Sequence, residues 1–189
     1  MQGRELIEIL EDNPVIIAVK NDEDLQAALK ESPPVVFVLY GNLNNIGRIT
    51  RDIKSAGKQA IVHIDLIEGL FPTAVSVDYL CDNTDASGII TTKSQLIKKA
   101  KERDLVAIQR FFVLDSLGLQ NTLRQLEASG ADLVEILPGV MPKILKKIAS
   151  HTHKPIIAGG LISDKDDVLA ALSAGSIGVS TSCHRVWGL

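Results

Sequence analysis

Pro155-Ile-Ile-Ala-Gly-Gly-Leu-Ile162 and, one helix-length later, Ala174-Gly-Ser-Ile-Gly-Val-Ser-Thr-Ser182 decide how this chain is read. The apolar runs at 155–158 and 177–179 have the length and composition of buried strands. Each ends in small residues: Gly159 and Gly160 after the first, Ser180, Thr181 and Ser182 after the second. Side chains that small leave backbone N–H groups bare. Converging bare donors suit a phosphate, the more so where a helix begins just beyond and turns its positive dipole end toward the same point. In a parallel barrel, the loops after the last two strands are a frequent phosphate position. A lone Gly-Gly would do no more than make a tight turn. Two such ends separated by one helix point to a phosphate held by Gly159, Gly160, Ser180 and Thr181.

Outward from this stretch, strand and helix signals alternate with almost no filler. Strands are predicted at 15–19, 35–39, 60–64, 88–91, 105–111 and 132–137, each a run of Val, Ile and Leu. A helix over residues 1–11 precedes the first, and Pro14 breaks it. Asn21, with Asp24 three residues on, caps the next helix, which Pro33 and Pro34 end. Ile46, Ile49, Ile53 and Ala56 mark a third, stopped at Gly57. A short helix fits 75–81. Thr92 with Gln95 forms a capping box for a helix that buries Leu96, Ile97 and Ala100, and Leu119, Leu123 and Leu126 mark another. Pro142 opens a helix with Ile144, Leu145 and Ile148 inward. Ser163 and Asp166 cap the helix inside the opening stretch.

Near-continuous apolar strands, rather than alternating ones, belong to parallel sheets covered by helices. About eight such units close a TIM-barrel-like parallel (β/α)8 barrel with its functional loops at one end. Such barrels typically take ~250 residues, with ~200 a lower range. A chain of 189 residues therefore needs short or missing helices. A doubly wound open sheet fits the same alternation. The barrel is preferred because polar residues end nearly every strand, early and late, as a closed ring requires. One phosphate-binding domain spanning 1–189 is expected.

Composition narrows the classes. The chain is 46% hydrophobic, but its apolar runs are short and interrupted by charge, so no membrane span is expected. The charged first eleven residues do not resemble a secretion signal, and a cytoplasmic protein is expected. Cys81 and Cys183 lie far apart, outside any zinc-type spacing, and read as structural thiols; no metal site is indicated. A formal charge of −3 gives no general attraction to nucleic acid, so RNA would need a local patch.

The strand ends form a second constellation. Lys20 ends the first strand, Asp65 the third, Thr91 the fourth and Arg110 the fifth; Glu135 lies in the sixth and Glu68 just beyond Asp65. Charges in apolar strands are costly unless they pair or bind something. At a barrel mouth, Lys20 and Arg110 could compensate an anion, while Asp65, Glu68 and Glu135 could accept hydrogen bonds from hydroxyls. That set implies a small polyol phosphate. Internal salt bridges, such as Arg110 with Glu135, are the structural alternative. As an enzyme, the chain could use Asp65, Glu68 or Lys20 as acid, base or Schiff-base nucleophile. His63, His151, His153 and His184 have no sequence neighbours that suggest a triad, and dinucleotide and Walker-type loops are absent.

Taken in order, His63-Ile-Asp-Leu-Ile-Glu-Gly69, Gly88-Ile-Ile-Thr-Thr92, Gln109-Arg110 with Asp115-Ser116, Glu135-Ile-Leu-Pro-Gly139, Ile157-Ala-Gly-Gly-Leu-Ile162 and Ser180-Thr-Ser182 resemble the glycerol uptake operon antiterminator regulatory protein family. The glycine motifs are shared with many phosphate-binding barrels; Asp-Leu-Ile-Glu-Gly and Glu-Ile-Leu-Pro-Gly together are specific. The resemblance implies a TIM-barrel-like regulator, not an enzyme, that senses glycerol 3-phosphate and acts on leader mRNA of glycerol-utilisation genes to prevent premature termination. It requires no cofactor beyond the effector, and a homo-oligomer is compatible with it. Leu70-Phe71-Pro72-Thr73 departs from the family pattern in being more apolar than the loop expected after Gly69.

On this reading Gly159, Gly160, Ser180 and Thr181 hold the phosphate, and Asp65, Glu68, Arg110 and Glu135 arrange the glycerol end, with Lys20 nearby. For RNA there are three basic patches: Arg48, Arg51, Lys54 and Lys58; Lys98 to Arg103; and Lys143, Lys146 and Lys147. Aromatic residues are only 4% of the chain, which argues against a stacking platform. Two other readings stay open: a barrel enzyme acting on a small polyol or sugar phosphate (isomerase, lyase or transferase), and a metabolite sensor that works through a protein partner.

Overall fold

A computed structural model describes residues 2–189. Eight parallel strands, β1 (Val15–Val19), β2 (Val35–Val38), β3 (Gln59–His63), β4 (Gly88–Thr91), β5 (Val106–Phe112), β6 (Leu133–Leu137), β7 (Ile156–Gly159) and β8 (Gly178–Thr181), pair in sequence order into a closed barrel. Closure rests on the β1–β8 ladder, with Val15 opposite Val179 and Ile17 opposite Thr181. That ladder excludes the open doubly wound sheet and gives the expected TIM-barrel-like (β/α)8 architecture.

The helices are α1 (Gly3–Asp12), α2 (Asp22–Ala28), α3 (Ile46–Ser55), α4 (Ala74–Asn83), α5 (Ser94–Glu102), α6 (Ser116–Ala128), α7 (Pro142–Ala149), α8 (Lys165–Ser173) and α9 (His184–Trp187). A helix follows every strand, so compactness comes from short helices and not from missing ones. α2 has seven residues and α9 only four. Several start and stop signals act as read: the Asn21 side chain accepts from the Asp24 N–H at 2.7 Å, Pro142 opens α7, and Gly57 adopts φ +75° after α3. Two caps differ. The N-cap of α8 is Asp164, which accepts from Asp167 N–H at 2.9 Å, while Asp167 accepts from both the backbone and the hydroxyl of Ser163. α5 has no side-chain cap, because the Thr92 hydroxyl donates to the Asp65 carboxylate instead. A hydrogen bond to an ionised carboxylate is roughly twice as strong as a neutral one, so the carboxylate wins that competition.

The period of two along each strand sorts residues into an inner and an outer face. Ile16, Ala18, Val35, Phe37, Ile61, Ile90, Val106, Ile108, Leu133 and Ile157 form one apolar cluster inside the barrel. Leu6 and Leu10 of α1 join the same cluster, so the first helix stops the barrel's lower end. Two further clusters fill the space between the outer face and the helices. Two residues beyond Ile61, Ile108, Leu133, Ile157 and Gly178, the inner positions become His63, Arg110, Glu135, Gly159 and Ser180. This polar layer is the floor of the open end.

Candidate functional site

The strand register sets the floor. Arg110 of β5 lies opposite Glu135 of β6, and Gly159 of β7 opposite Ser180 of β8. The Arg110 Nε–H donates to Glu135 Oε2 at 2.5 Å, and the Ser180 hydroxyl donates to Glu135 Oε1 at 2.6 Å. Glu135 is wholly buried, so this pairing is what makes its charge tolerable. The internal salt bridge foreseen as the alternative for this pair is therefore present. It does not exhaust Arg110, whose Nη groups make no hydrogen bond among the described residues. Arg110 lines a cavity of about 430 Å³ together with Glu135, Leu137, Gly160, Ser180 and Ser182.

The two small-residue loops contribute differently. Gly160, at φ +77°, turns the chain over the cavity, and the backbone N–H groups of Gly160, Leu161 and Ser182 have no protein acceptor among the described residues. Gly159 is buried beneath; a Cβ there would stand 2.4 Å from Glu135 Oε1 and 2.7 Å from the Ser180 hydroxyl oxygen. Its missing side chain makes room for the carboxylate. Thr181 borders the cavity, but its hydroxyl donates to Ile162 O at 2.7 Å and accepts from Cys183 N–H, tying the β7 and β8 loops together. The helix-dipole contribution expected after these strands is taken up internally, since the first turn of α8 is occupied by Asp164 and Asp167 and α9 is a single turn.

The remaining sequence candidates lie on the other side of the mouth or on its rim. Asp65, in a 3-10 turn after β3 (Ile64–Leu66), accepts from the Thr91 hydroxyl at 2.7 Å and from the Thr92 N–H and hydroxyl at 2.8 and 2.9 Å. Thr91 is thus the strut that holds Asp65. Lys20 is exposed at the end of β1 without an ion pair among the described residues. Glu68 is exposed too; its backbone pairs with Gly41 and Leu43, and its side chain does not line the cavity. The structure therefore brings Arg110, Glu135, Gly160, Ser180 and Thr181 together and leaves Lys20, Asp65 and Glu68 around them.

His63, which has no partner nearby in sequence, lies in the polar floor. It is 3% exposed, its Nδ1 is buried without a hydrogen-bond partner, and burial, followed by the positive charge of Arg110, pushes its pKa down to about 4. The imidazole is therefore neutral at pH 7, with Arg110 and Asp65 the charges that act on it. Its place two residues past Ile61 was the signal available in the sequence. His184 also has a partner: its Nε2 lies 3.0 Å from Asp24 Oδ1, and its ring stacks on Trp187 at 3.9 Å. Trp187 is fully buried and donates to Thr181 O at 3.0 Å, so the C-terminal turn braces the β8 loop. A contact spanning 160 positions leaves no local pattern to read. Cys81 and Cys183 are both free thiols. No helix among the described residues is long and apolar enough to cross a membrane.

Fold and site together define a compact (β/α)8 barrel with a charged, hydrogen-bonded cavity at the C-terminal end of its strands. Residues 15–187 match the family described as glycerol-3-phosphate responsive antiterminator, and the chain belongs to that family. It is 41% identical to the protein YgcP of Escherichia coli K12, over 97% of this chain and 96% of that one. Among solved structures, a glycerol uptake operon antiterminator regulatory protein from Listeria monocytogenes superposes with a TM-score of 0.90 at 30% identity, covering 93% of this chain and 95% of that one. A glycerol uptake operon antiterminator-related protein from Thermotoga maritima gives 0.79 at 30% identity, covering 92% and 96%. The family is the one the motifs resembled.

Proposed function

We propose that this protein is a glycerol-3-phosphate-sensing antiterminator that binds leader mRNA of glycerol-utilisation genes, and that its pocket binds the effector without turning it over. One observation carries the ligand reading: the free Nη fork of Arg110 and the unpartnered N–H groups of Gly160, Leu161 and Ser182 border one cavity. Backbone donors and a guanidinium are the groups a phosphate dianion needs. Glu135 already neutralises one charge of the floor, so a dianion calls for a further cation, and Lys20 on the rim is free to supply it. The glycerol hydroxyls then meet the acceptors of Glu135 and, across the mouth, of Asp65. Glu68 completes the polar rim. Ser180 and Thr181 hold the carboxylate and the loops in place for this contact.

The regulatory reading draws support from the family and from the way the mouth's charges are engaged. Arg110 is hydrogen-bonded to Glu135, and Asp65 separately accepts from Thr91 and Thr92, an arrangement that favours binding over proton transfer. Titration calorimetry of glycerol 3-phosphate against wild type and Gly160→Asp tests the phosphate position. Affinity is expected to fall at least tenfold in the variant, because a carboxylate at the anion site repels the ligand. Equal affinities in two proteins with matching circular dichroism would overturn the assignment. Gel shifts of a leader transcript with and without glycerol 3-phosphate test the RNA arm, and turnover of the effector would favour the enzyme reading instead.

A further inference from the structure

The three basic patches apparent in the sequence are not equivalent once folded. In the first, Arg48 pairs with Asp22 and Asp52, Lys54 and Arg51 pair with Asp85, and Lys58 is buried with its ammonium donating to the carbonyls of Pro33 and Glu31. In the second, Lys99 and Arg103 share Asp78, Arg103 also meets Asp82, and Lys101 meets Asp132, leaving only Lys98 without an acid. In the third, Lys143, Lys146 and Lys147 are exposed and have no acid within 4.0 Å among the described residues. α7 carries no carboxylate of its own; its sequence is Pro-Lys-Ile-Leu-Lys-Lys-Ile-Ala, with Leu145 and Ile148 turned into the core. Spacings of three and four residues stack the three ammonium groups on one outward face. Beside them, Lys143 and Lys146 border an open groove of about 460 Å³ against Ala170 and Ser173 of α8 and Ala174 just after it, side chains too small to obstruct a backbone lying there.

We infer that the outer face of α7, with its groove against α8, is the surface that meets the phosphate backbone of leader RNA. This rests on the proposed antiterminator function and assigns its nucleic-acid surface. Paired cations are already neutralised and offer a polyanion little, whereas three uncompensated lysines on a chain of net charge −3 concentrate the attraction at one place. The same helix is coupled to the effector pocket. β6 carries Glu135, Leu137 borders the cavity, and the Gly139 N–H donates to Gly160 O at 3.1 Å, so the turn leading into Pro142 is tied to the loop that would hold the phosphate. A ligand seated on Gly160 and Leu161 pulls on the first turn of α7, where Lys143 stands.

The test measures binding of an in-vitro leader transcript, at saturating glycerol 3-phosphate and several salt concentrations. It compares wild type, the triple variant Lys143→Gln, Lys146→Gln, Lys147→Gln, and the control triple Arg48→Gln, Arg51→Gln, Lys54→Gln. Counterion release gives a slope of about −0.7 per phosphate contact on a single strand, so the α7 variant should lose about two units of salt slope and on the order of tenfold to a hundredfold in affinity near 0.1 M salt. The control should match wild type, and calorimetry should show both variants binding glycerol 3-phosphate normally. Unchanged RNA binding in the α7 variant, or an equal loss in the control, overturns this surface while leaving the antiterminator reading intact. A wild type that binds effector but no RNA at any salt overturns both, and points to a protein partner.

Discussion

The lower and upper halves of the barrel interior are built from the same strands and do opposite things. Below, Ile61, Ile108, Leu133 and Ile157 pack with Leu6 and Leu10 into a sealed apolar plug. Two residues further along, the same inner faces carry His63, Arg110, Glu135, Gly159 and Ser180, and every one of these positions gives up apolar burial. The plug needs only volume and close packing. The upper layer needs partners, because each polar group without one costs free energy. The lesson is that fold and site are separated along the strand axis, so a change in one half should report differently from a change in the other.

The sharpest way to break the comparison is Arg110→Met. It leaves the Glu135 carboxylate wholly buried without its counter-charge, which should cost about 3–5 kcal/mol in urea unfolding and abolish effector binding. The double variant Arg110→Met, Glu135→Leu should regain much of that stability and none of the binding. A single variant as stable as wild type would mean the pair is not what holds the floor.

Next in size is a pH effect confined to the upper layer. The His63 pKa is depressed from 6.5 to about 4, so its stabilising contribution is fully present above pH 6.5. As pH falls from 6.5 to about 4 the unfolded chain binds the proton first, and stability is lost by roughly 3 kcal/mol at the acid end. His63→Gln should flatten that part of the profile, measured by denaturant midpoints across pH; an unchanged slope would assign the acid sensitivity elsewhere.

Gly159→Ala comes third. The added methyl meets Glu135 Oε1 and the Ser180 oxygen well inside contact distance, so overpacking should cost about 1–3 kcal/mol and disturb the cavity floor. Ile157→Val, one layer down, is expected to cost about 0.5–1.5 kcal/mol and to leave effector affinity unchanged, as calorimetry on the folded variant would show. If the lower-layer change weakens binding as much as the upper-layer one, the two halves are not independent.

Much of the barrel was legible because it depends on local chemistry. β1 and β4 run over the residues predicted, Asn21, Gly57 and Pro142 punctuate the helices as read, and the Arg110–Glu135 pair was foreseeable from two charges in neighbouring apolar strands. Local pattern misleads where two partners compete for one group. Thr92 serves Asp65 across the mouth and not its own helix, and Lys58 is spent on the carbonyls of Glu31 and Pro33. Neither competitor is adjacent in sequence.

The sequence by itself determined the alternation, the parallel sheet and the family, because apolar runs, caps and short motifs are properties of consecutive residues. Only the tertiary structure decided that Gly159 yields space to a buried carboxylate, that His63 stands neutral beside Arg110, that Trp187 braces the β8 loop, and which lysines keep an uncompensated charge. Those outcomes depend on which groups meet across the closed barrel, and closure brings together side chains that the order of the chain holds far apart.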